Sequence, residues 1–148
     1  MSGDDPFNLQ RFVTAQHLVY DEVCAELHSG EKTSHWMWFI FPQLRGLGSS
    51  SMAEKFAISS AQEAQAYLRH PLLGSRLREC TQLANRVEGR SLEQIFGSPD
   101  HMKFRSSMTL FAHVTPGDSV FRDALEKYCR GETDPKTEDI LRAQSGRP

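Results

Sequence analysis

The segment KTSHWMWFIFPQLRGLGSSS, residues 32–51, decides how the rest of the chain must fold. Positions 36–41 hold both tryptophans of the protein, two phenylalanines, a methionine and an isoleucine, with no polar residue between them. A helix would spread these side chains over its whole circumference, and a strand would send them to both faces. The segment is therefore predicted to be central and buried. The pattern leaves open whether residues 35–41 form a helix or a strand.

On both sides of this segment, apolar residues recur at the three- and four-residue spacing of helices. One stripe covers residues 9–27, with Asn8 as its predicted N-cap and Gly30 as its predicted stop. A second stripe covers residues 72–87, and His70, which precedes a proline, marks the boundary before it. The chain is thus predicted to surround its aromatic segment with helices.

Capping residues indicate where further helices begin. Ser60 with Glu63, and Ser91 with Gln94, have the spacing of a capping box. Other predicted starts are at Ser34, Ser51, Ser98–Pro99, Asp118 and Asp134. With about seven helical segments and no alternating apolar pattern, the chain is predicted to be all-α. It should form a single compact multihelical domain over residues 5–143, with disordered ends at 1–4 and 144–148.

Composition excludes several classes of protein. The hydrophobic fraction of 39% is ordinary for a globular chain, and a net charge of −2 lacks the positive balance typical of nucleic-acid or membrane binding. Three widely spaced cysteines match neither a zinc site nor a secreted disulfide scaffold. The N-terminal MSGDDPFN is acidic and polar where a signal peptide would be basic and then apolar, so no signal peptide is expected, and no apolar run approaches the roughly 18 to 20 residues that span a bilayer. We therefore predict a cytoplasmic protein with no nucleic-acid and no membrane partner.

Polar side chains flank the aromatic run and point to a binding site beside it. They supply a cation, a hydroxyl, an imidazole and an amide: Lys32, Ser34, His35 and Gln43. Such a mixture is typical of sites where a planar ligand stacks on an aromatic wall, here Trp36 or Trp38, and is held at its edges. The alternative interpretation is that the aromatic side chains serve only the core.

The glycine- and serine-rich stretch RGLGSSS, residues 45–51, follows directly. Its glycines could let backbone N–H groups converge on a phosphate near a helix N-terminus. It lacks the lysine of a P-loop and does not belong to a βαβ unit, so neither nucleotide-binding fingerprint applies. The alternative is a turn whose serine caps the next helix.

A later stretch, SPDHMKFRSSMTLF at residues 98–111, repeats the mixture of aromatic and polar residues. On a helix, Lys103 and Ser107 would share a polar face, and with Arg105 they could bind an anion. Asp100 or His101 could transfer protons. The paired serines at 106 and 107 could instead allow two helices to approach closely. If this stretch folds over the aromatic wall, the two segments form one pocket.

Several blocks of the sequence resemble a bacterial family of unknown function whose members genome annotation often labels "calpastatin". The blocks are DPFNLQRFVTAQ, SHWMWFIFPQLRGLG, AYLRHPLLGSRL, IFGSPDHMKFRSSMTLF and GETDPKT, and they run from Asp5 to about Leu141. The resemblance implies a mainly helical fold without an established activity. The label conflicts with the sequence, because calpastatin is a disordered inhibitor whereas this chain has periodic apolar stripes able to form a core.

These observations lead to two hypotheses of function. The first is a small-ligand binder or enzyme for a nucleotide-like or phosphorylated compound, with His35, Asp100 and His101 as the candidate acids and bases. The second is a protein–protein interaction module without catalysis. Because no histidine or cysteine motif has metal-ligand spacing and no GxSxG occurs, we predict no metal, no cofactor and no covalent serine mechanism. The oligomeric state, and whether the protein is an enzyme at all, remain open at this point.

Overall fold

A computed structural model describes residues 5–117 and 119–145, and within these ranges the chain is built from helices and loops. The ten helices are α1 (Gln10–His17), α2 (Tyr20–Ser29), α3 (Met37–Ile40), α4 (Ser51–Lys55), α5 (Ala61–Arg69), α6 (Leu73–Asn85), α7 (Leu92–Phe96), α8 (Asp100–Val114), α9 (Ser119–Cys129) and α10 (Pro135–Ser145). In the described part of the chain there is no β-strand, and Leu44 and Ile58 form an isolated parallel bridge. The predicted all-α class is confirmed. The predicted count of about seven helices is wrong.

One reason for the difference is that the first apolar stripe is divided between two helices. The chain turns at Leu18, whose side chain is 88% exposed, and α2 starts two residues later. Just before the turn, the amide of Gln16 is buried and donates to the carbonyl of Phe39 and the hydroxyl of Tyr67. Since Gln16 is polar, its position on the buried face of α1 did not show in the apolar pattern.

The caps of these first helices also differ in part from the prediction. Asn8 has a left-handed backbone with φ 53° and does not cap α1. The carboxylate of Asp5 accepts the N–H groups of Leu9 and Gln10 instead, at 2.7 and 2.9 Å. Gly30 ends α2 with φ 82°, as predicted. The initial turn is therefore stabilised by a charge-assisted contact rather than by the predicted amide.

The aromatic run forms the single helical turn α3, which settles the choice between helix and strand. Five of its six side chains are buried, and only Trp38 is partly exposed. Ser34 does not cap this turn, because its hydroxyl is engaged by Glu26 of α2. Phe41 packs edge-on against Phe104 of α8, with ring centroids 5.0 Å apart. This contact joins the aromatic segment to the centre of the fold, because α8 packs against α5, α7, α9 and α10.

Other predicted caps are present with variations. Ser91 and Gln94 form a complete capping box at α7, as predicted. Ser60 accepts the N–H of Glu63, but the Glu63 carboxylate accepts from Ser59 rather than returning to Ser60. The ring nitrogen Nδ1 of His70 accepts the N–H groups of the two residues that open α6. His70 is thus a boundary residue, as predicted.

Both ends of the predicted domain lie close to the first and last residues that the structure describes. The helix α10 begins after Asp134, which caps it by accepting the N–H of Thr137 at 3.0 Å. It continues through Gln144 to Ser145, where an irregular end was predicted. Residues 1–4, 146–148 and the predicted cap Asp118 lie outside the described residues. Among the residues that are described, no helix has the length and apolar character needed to cross a membrane.

Replacing Gly74 by Ala is expected to lower the free energy of unfolding by about 1 to 3 kcal/mol, the usual cost of overpacking. A Cβ on Gly74 would lie 2.9 Å from the carbonyl carbon of Leu68 and closer still to its oxygen. In a helix, alanine is normally more favourable than glycine by about 1 kcal/mol. The predicted loss of stability is therefore opposite in sign to the change expected from helix propensity. Urea denaturation followed by circular dichroism measures the change.

Gly117 offers a matched control for this substitution. A Cβ there would meet no atom of the described residues within 4 Å. We expect Gly117→Ala to change the free energy of unfolding by no more than about 0.5 kcal/mol. A Gly74→Ala variant as stable as wild type would show that α5 and α6 do not need this close approach.

Candidate functional site

The segment before the aromatic run is held by one buried carboxylate, that of Glu26 on α2. Its oxygens accept the N–H groups of Thr33 and Ser34 at 2.8 and 3.1 Å, the Ser34 hydroxyl at 2.6 Å and the Trp36 indole N–H at 2.9 Å. Burial alone would raise the pKa of Glu26. The hydrogen bonds from Ser34, Thr33 and Trp36 outweigh that effect and lower the pKa to about 2. Glu26 is therefore a charged anchor for residues 33–36.

Asp100, at the start of α8, bridges the two segments that the sequence analysis singled out. Its carboxylate lies 2.8 Å from Nζ of Lys32 and 3.3 Å from Nζ of Lys103. Each lysine also sits over an indole ring, Lys32 at 5.2 Å from the Trp36 centroid and Lys103 at 5.3 Å from that of Trp38. The α8 stretch therefore lies against the aromatic run, and ion pairs and cation–π contacts hold it there.

Beside this bridge lies an open cleft of about 300 Å³, which we call the lysine cleft. Three separate segments form it: the loop after α3, the first two turns of α8 and the start of α10. The side chains that carry polar groups into it are Gln43, Lys103, Ser106, Asp134 and Lys136. Leu47, Gly48 and Met102 complete its apolar part. Cations, an amide and a hydroxyl thus converge on one concave surface.

The polar groups of the lysine cleft differ in how free they are. The Ser106 hydroxyl donates to the carbonyl of Met102 at 3.2 Å, and Asp134 is occupied as the cap of α10. Lys103 shares Asp100 with Lys32. Lys136 is exposed and forms no ion pair with any residue in the described ranges. The two lysines are therefore the groups best placed to meet an anion.

The glycine- and serine-rich loop contributes to the cleft mainly through its shape. Gly46 has φ 102°, a backbone conformation that favours glycine. Gly48 lines the cleft, and a Cβ there would lie 2.8 Å from Cβ of Ala53. Ser50 caps α4 by accepting the N–H of Ala53. The loop therefore contains the capped turn of the alternative interpretation, one residue earlier than the predicted start.

Only part of the predicted site surrounds the lysine cleft. Gln43 and Lys103 line it, and Asp100 and Trp38 adjoin Lys103. Lys32, Ser34 and Trp36 lie behind this surface, where the Lys32 side chain is only 7% exposed. These three residues support the wall rather than face the cleft.

The other predicted residues point elsewhere. His101 and Arg105 line a second cleft, and Arg105 donates to the backbone carbonyls of Glu132 and Thr133. His35 is exposed and outside both clefts. The predicted polar face with Ser107 is wrong, because Ser107 is fully buried and its hydroxyl has no hydrogen-bond partner among the described residues. Residues 107–112 of α8 are all buried, because other helices pack against α8 on several sides.

The third wall of the lysine cleft, formed by Asp134 and Lys136, was not predicted from the sequence. Asp134 was recognised as a helix start, but neither it nor Lys136 was assigned to the site. Their position depends on how α10 docks against α8. In that contact the backbone N–H of Asp134 donates to the Thr109 hydroxyl at 2.9 Å. No local pattern in residues 133–137 indicates that contact. In the described part of the chain no group of three or more metal-ligating side chains could hold a metal ion.

Comparison with known proteins identifies relatives but no activity. The conserved hypothetical protein Rv1873 from Mycobacterium tuberculosis has a crystal structure similar to this one, with 57% sequence identity and a TM-score of 0.92. The match covers 93% of this chain and 99% of that one. The comparison with curated proteins finds no match. A family model described as "Protein of unknown function (DUF1810)" matches residues 6–141. Neither name refers to calpastatin, and the chain belongs to the DUF1810 family of unknown function.

Proposed function

We propose that the protein binds a small anionic compound, nucleotide-like or phosphorylated, in the lysine cleft. The observation that carries this proposal is the position of Lys103 and Lys136, which come from different helices and line the same 300 Å³ cleft. Clefts of this size accommodate small metabolites, and lysine is a common partner of phosphate oxygens. The amide of Gln43, which also lines the cleft, adds a neutral donor.

The charge balance around the cleft favours an anion by a small margin. Lys32, Lys103 and Lys136 contribute three positive charges, and Asp100 and Asp134 contribute two negative ones, which leaves one positive charge. The start of α10 adds little, because the Asp134 carboxylate already places a negative charge there and accepts the N–H of Thr137. Affinity should therefore depend on the lysines themselves and fall as salt screens them.

The planar part of the ligand would lie against Trp38. This indole is partly exposed, whereas Trp36 is 1% exposed and unavailable for stacking. Trp38 lines an adjoining pocket of about 20 Å³, which shares Gln43 and Gly48 with the lysine cleft. This pocket is too small to enclose a ring, so a ring on Trp38 would lie at the mouth of the lysine cleft, with the phosphate between the lysines.

If the bound compound also reacts, Asp100 is the candidate acid or base. Its carboxylate lies 3.3 Å from Lys103, so it borders the position proposed for the anion. His101 faces the second cleft and His35 lies outside both, so neither shares that position. The style of reaction would be hydrolysis or transfer at a phosphate or glycosidic linkage, with Asp100 as a proton carrier.

A thermal-shift screen tests the proposal. We expect a member of a panel of nucleoside phosphates, sugar phosphates, ADP-ribose and inorganic phosphate to raise the melting temperature. Lys103→Met should then weaken the affinity for that compound by about tenfold or more, because it removes one charge-assisted contact. The same variant should stay within about 1 kcal/mol of wild-type stability, because Asp100 keeps its pair with Lys32.

Arg142→Met is the matched control, since it removes one positive charge from an exposed ion pair outside the cleft. It should leave both stability and affinity nearly unchanged. A folded protein that responds to no compound would refute the proposal. A compound whose affinity is the same for wild type and Lys103→Met would bind somewhere else.

The alternative, a protein–protein interaction module, also has an observation in its favour. Met102 is 60% exposed and lies between the lysine cleft and the second cleft. An exposed methionine flanked by concave surfaces is a common feature of interfaces. Loss of a partner on Met102→Glu but not on Lys103→Met would favour this function over the first.

Cytoplasmic location is part of the proposal. Cys24, Cys80 and Cys129 are all free thiols, which is the state that a reducing compartment maintains.

A further inference from the structure

Two cysteines meet at the interface of α2 and α6, away from the lysine cleft. Cys24 is partly exposed on α2, and Cys80 is fully buried on α6. Cys24 follows Tyr20 by four residues on α2, so the two side chains lie on the same side of that helix. The hydroxyl of Tyr20 adjoins both, and it accepts from the Cys80 thiol at 3.9 Å. One accessible sulfur and one sheltered sulfur are thus adjacent although 56 positions separate them in the sequence.

The surroundings make the two thiols unequal. The interaction with Cys80 outweighs the effect of burial and, with that of Tyr20, lowers the pKa of Cys24 to about 7, although Glu79 and Asp21 oppose this. The contact with Cys24 and burial raise the pKa of Cys80. Cys24 is therefore the thiolate of the pair, and Cys80 retains its proton.

Tyr20 is itself held in place from two sides. Its hydroxyl donates to the carboxylate of Glu79, and the guanidinium of Arg76 lies 4.5 Å from its ring centroid. The cluster therefore contains a partly exposed thiol, a sheltered second thiol and a fixed hydroxyl between them. This arrangement is typical of cysteines that react with oxidants and are then resolved by a neighbour.

We propose that Cys24 is a hydroperoxide-reactive thiol and that Cys80 captures its oxidised form as a disulfide between α2 and α6. The partial exposure of Cys24 admits a small peroxide, and the burial of Cys80 keeps the second thiol from reacting first. Tyr20 acts as a positioning residue for the Cys80 sulfur.

The chemistry takes two steps. In the first, the Cys24 thiolate attacks a peroxide oxygen, an S–O bond forms and the O–O bond breaks. The released alkoxide or hydroxide takes a proton from water, and Cys24 becomes a sulfenic acid. In the second, the Cys80 sulfur attacks the Cys24 sulfur, an S–S bond forms and the S–O bond breaks. The Cys80 proton and the departing hydroxide form water, so two thiols have been oxidised and one peroxide reduced.

Intact-mass and peptide analysis of the full chain after hydrogen peroxide treatment tests this assignment. We expect the reduced wild-type protein to lose two hydrogens and to yield a Cys24–Cys80 linked peptide. Without peroxide, at neutral pH, iodoacetamide should alkylate Cys24 roughly tenfold or more faster than Cys129, because burial raises the pKa of the Cys129 thiol. Dithiothreitol should reverse the linkage.

Three variants complete the experiment. Cys129→Ser should still form the disulfide, and Cys24→Ser should not. Cys80→Ala should stop at a Cys24 sulfenic acid that dimedone traps, with circular dichroism to show that the variant is folded. Wild-type protein in which peroxide leaves Cys24 unmodified, or oxidises it to sulfinic acid without the linked peptide, would overturn the proposal whatever the variants do.

Discussion

Replacing Trp36 by Ala is expected to lower the free energy of unfolding by about 3 to 5 kcal/mol, a large part of the roughly 5 to 15 kcal/mol that stabilises an ordinary domain. The indole is 1% exposed, so its removal leaves a large cavity next to Phe41. The substitution also removes the hydrogen bond that the indole N–H donates to Glu26 and the cation–π contact between the ring and Lys32. Urea denaturation followed by far-ultraviolet circular dichroism measures the loss, since both tryptophans would affect a fluorescence signal.

Trp38→Ala is the matched control for this prediction. Trp38 is partly exposed, and apart from Lys103 it has no cation over its ring among the residues described. We expect its replacement to cost clearly less than that of Trp36, because less apolar area returns to water. If the two variants were equally stable, the distinction between a buried and an accessible indole would be wrong.

Glu26 should give the protein a measurable loss of stability in acid. Its pKa is lowered in the folded state to about 2 from 4.5, so the folded protein binds the proton less readily than the unfolded chain. The resulting stabilisation is fully present above pH 4.5 and is lost as the pH falls toward 2. At about 1.4 kcal/mol per pKa unit, it amounts to roughly 3 kcal/mol. Solvent reaches the edge of this carboxylate and screens part of the effect, so roughly 3 kcal/mol is an upper value.

Glu26→Gln isolates this contribution. The variant should be roughly 3 kcal/mol less stable than wild type at neutral pH, and the difference should shrink toward pH 2, as measured by urea denaturation across that range. Glu22→Gln is the control. Glu22 is exposed, and like Glu26 it accepts a hydrogen bond from the Ser34 hydroxyl. A difference between wild type and Glu26→Gln that does not change with pH would contradict the charged state assigned to Glu26.

The parts of the fold that could be predicted from sequence are those that depend on neighbouring residues. The capping box of Ser91 and Gln94 lies within one turn, so its pattern is visible without knowledge of the fold. The aromatic run was bound to be buried, whichever backbone it adopted. The break at Leu18 was missed because its cause is tertiary, namely the buried contacts of Gln16 with Phe39 and Tyr67.

The candidate site was predictable to the same extent. The approach of Lys103 to the aromatic segment followed from the mixture of residues in two stretches. Which side of α8 faces solvent did not follow, because helices on several sides bury Ser107. Lys136 reaches the cleft through the docking of α10, a contact between residues far apart in the chain. Sequence patterns within a window of about a dozen residues do not show that α10 forms one wall of the cleft.

The construction of the lysine cleft from three distant segments has a consequence for synthesis of the protein on the ribosome. The loop that follows α3 and the start of α8 emerge early, but Lys136 belongs to α10. A nascent chain therefore has no complete cleft until α10 has left the exit tunnel and docked. A ligand that requires both lysines can stabilise only the finished domain, so it would protect mature molecules from degradation without assisting the folding of incomplete ones.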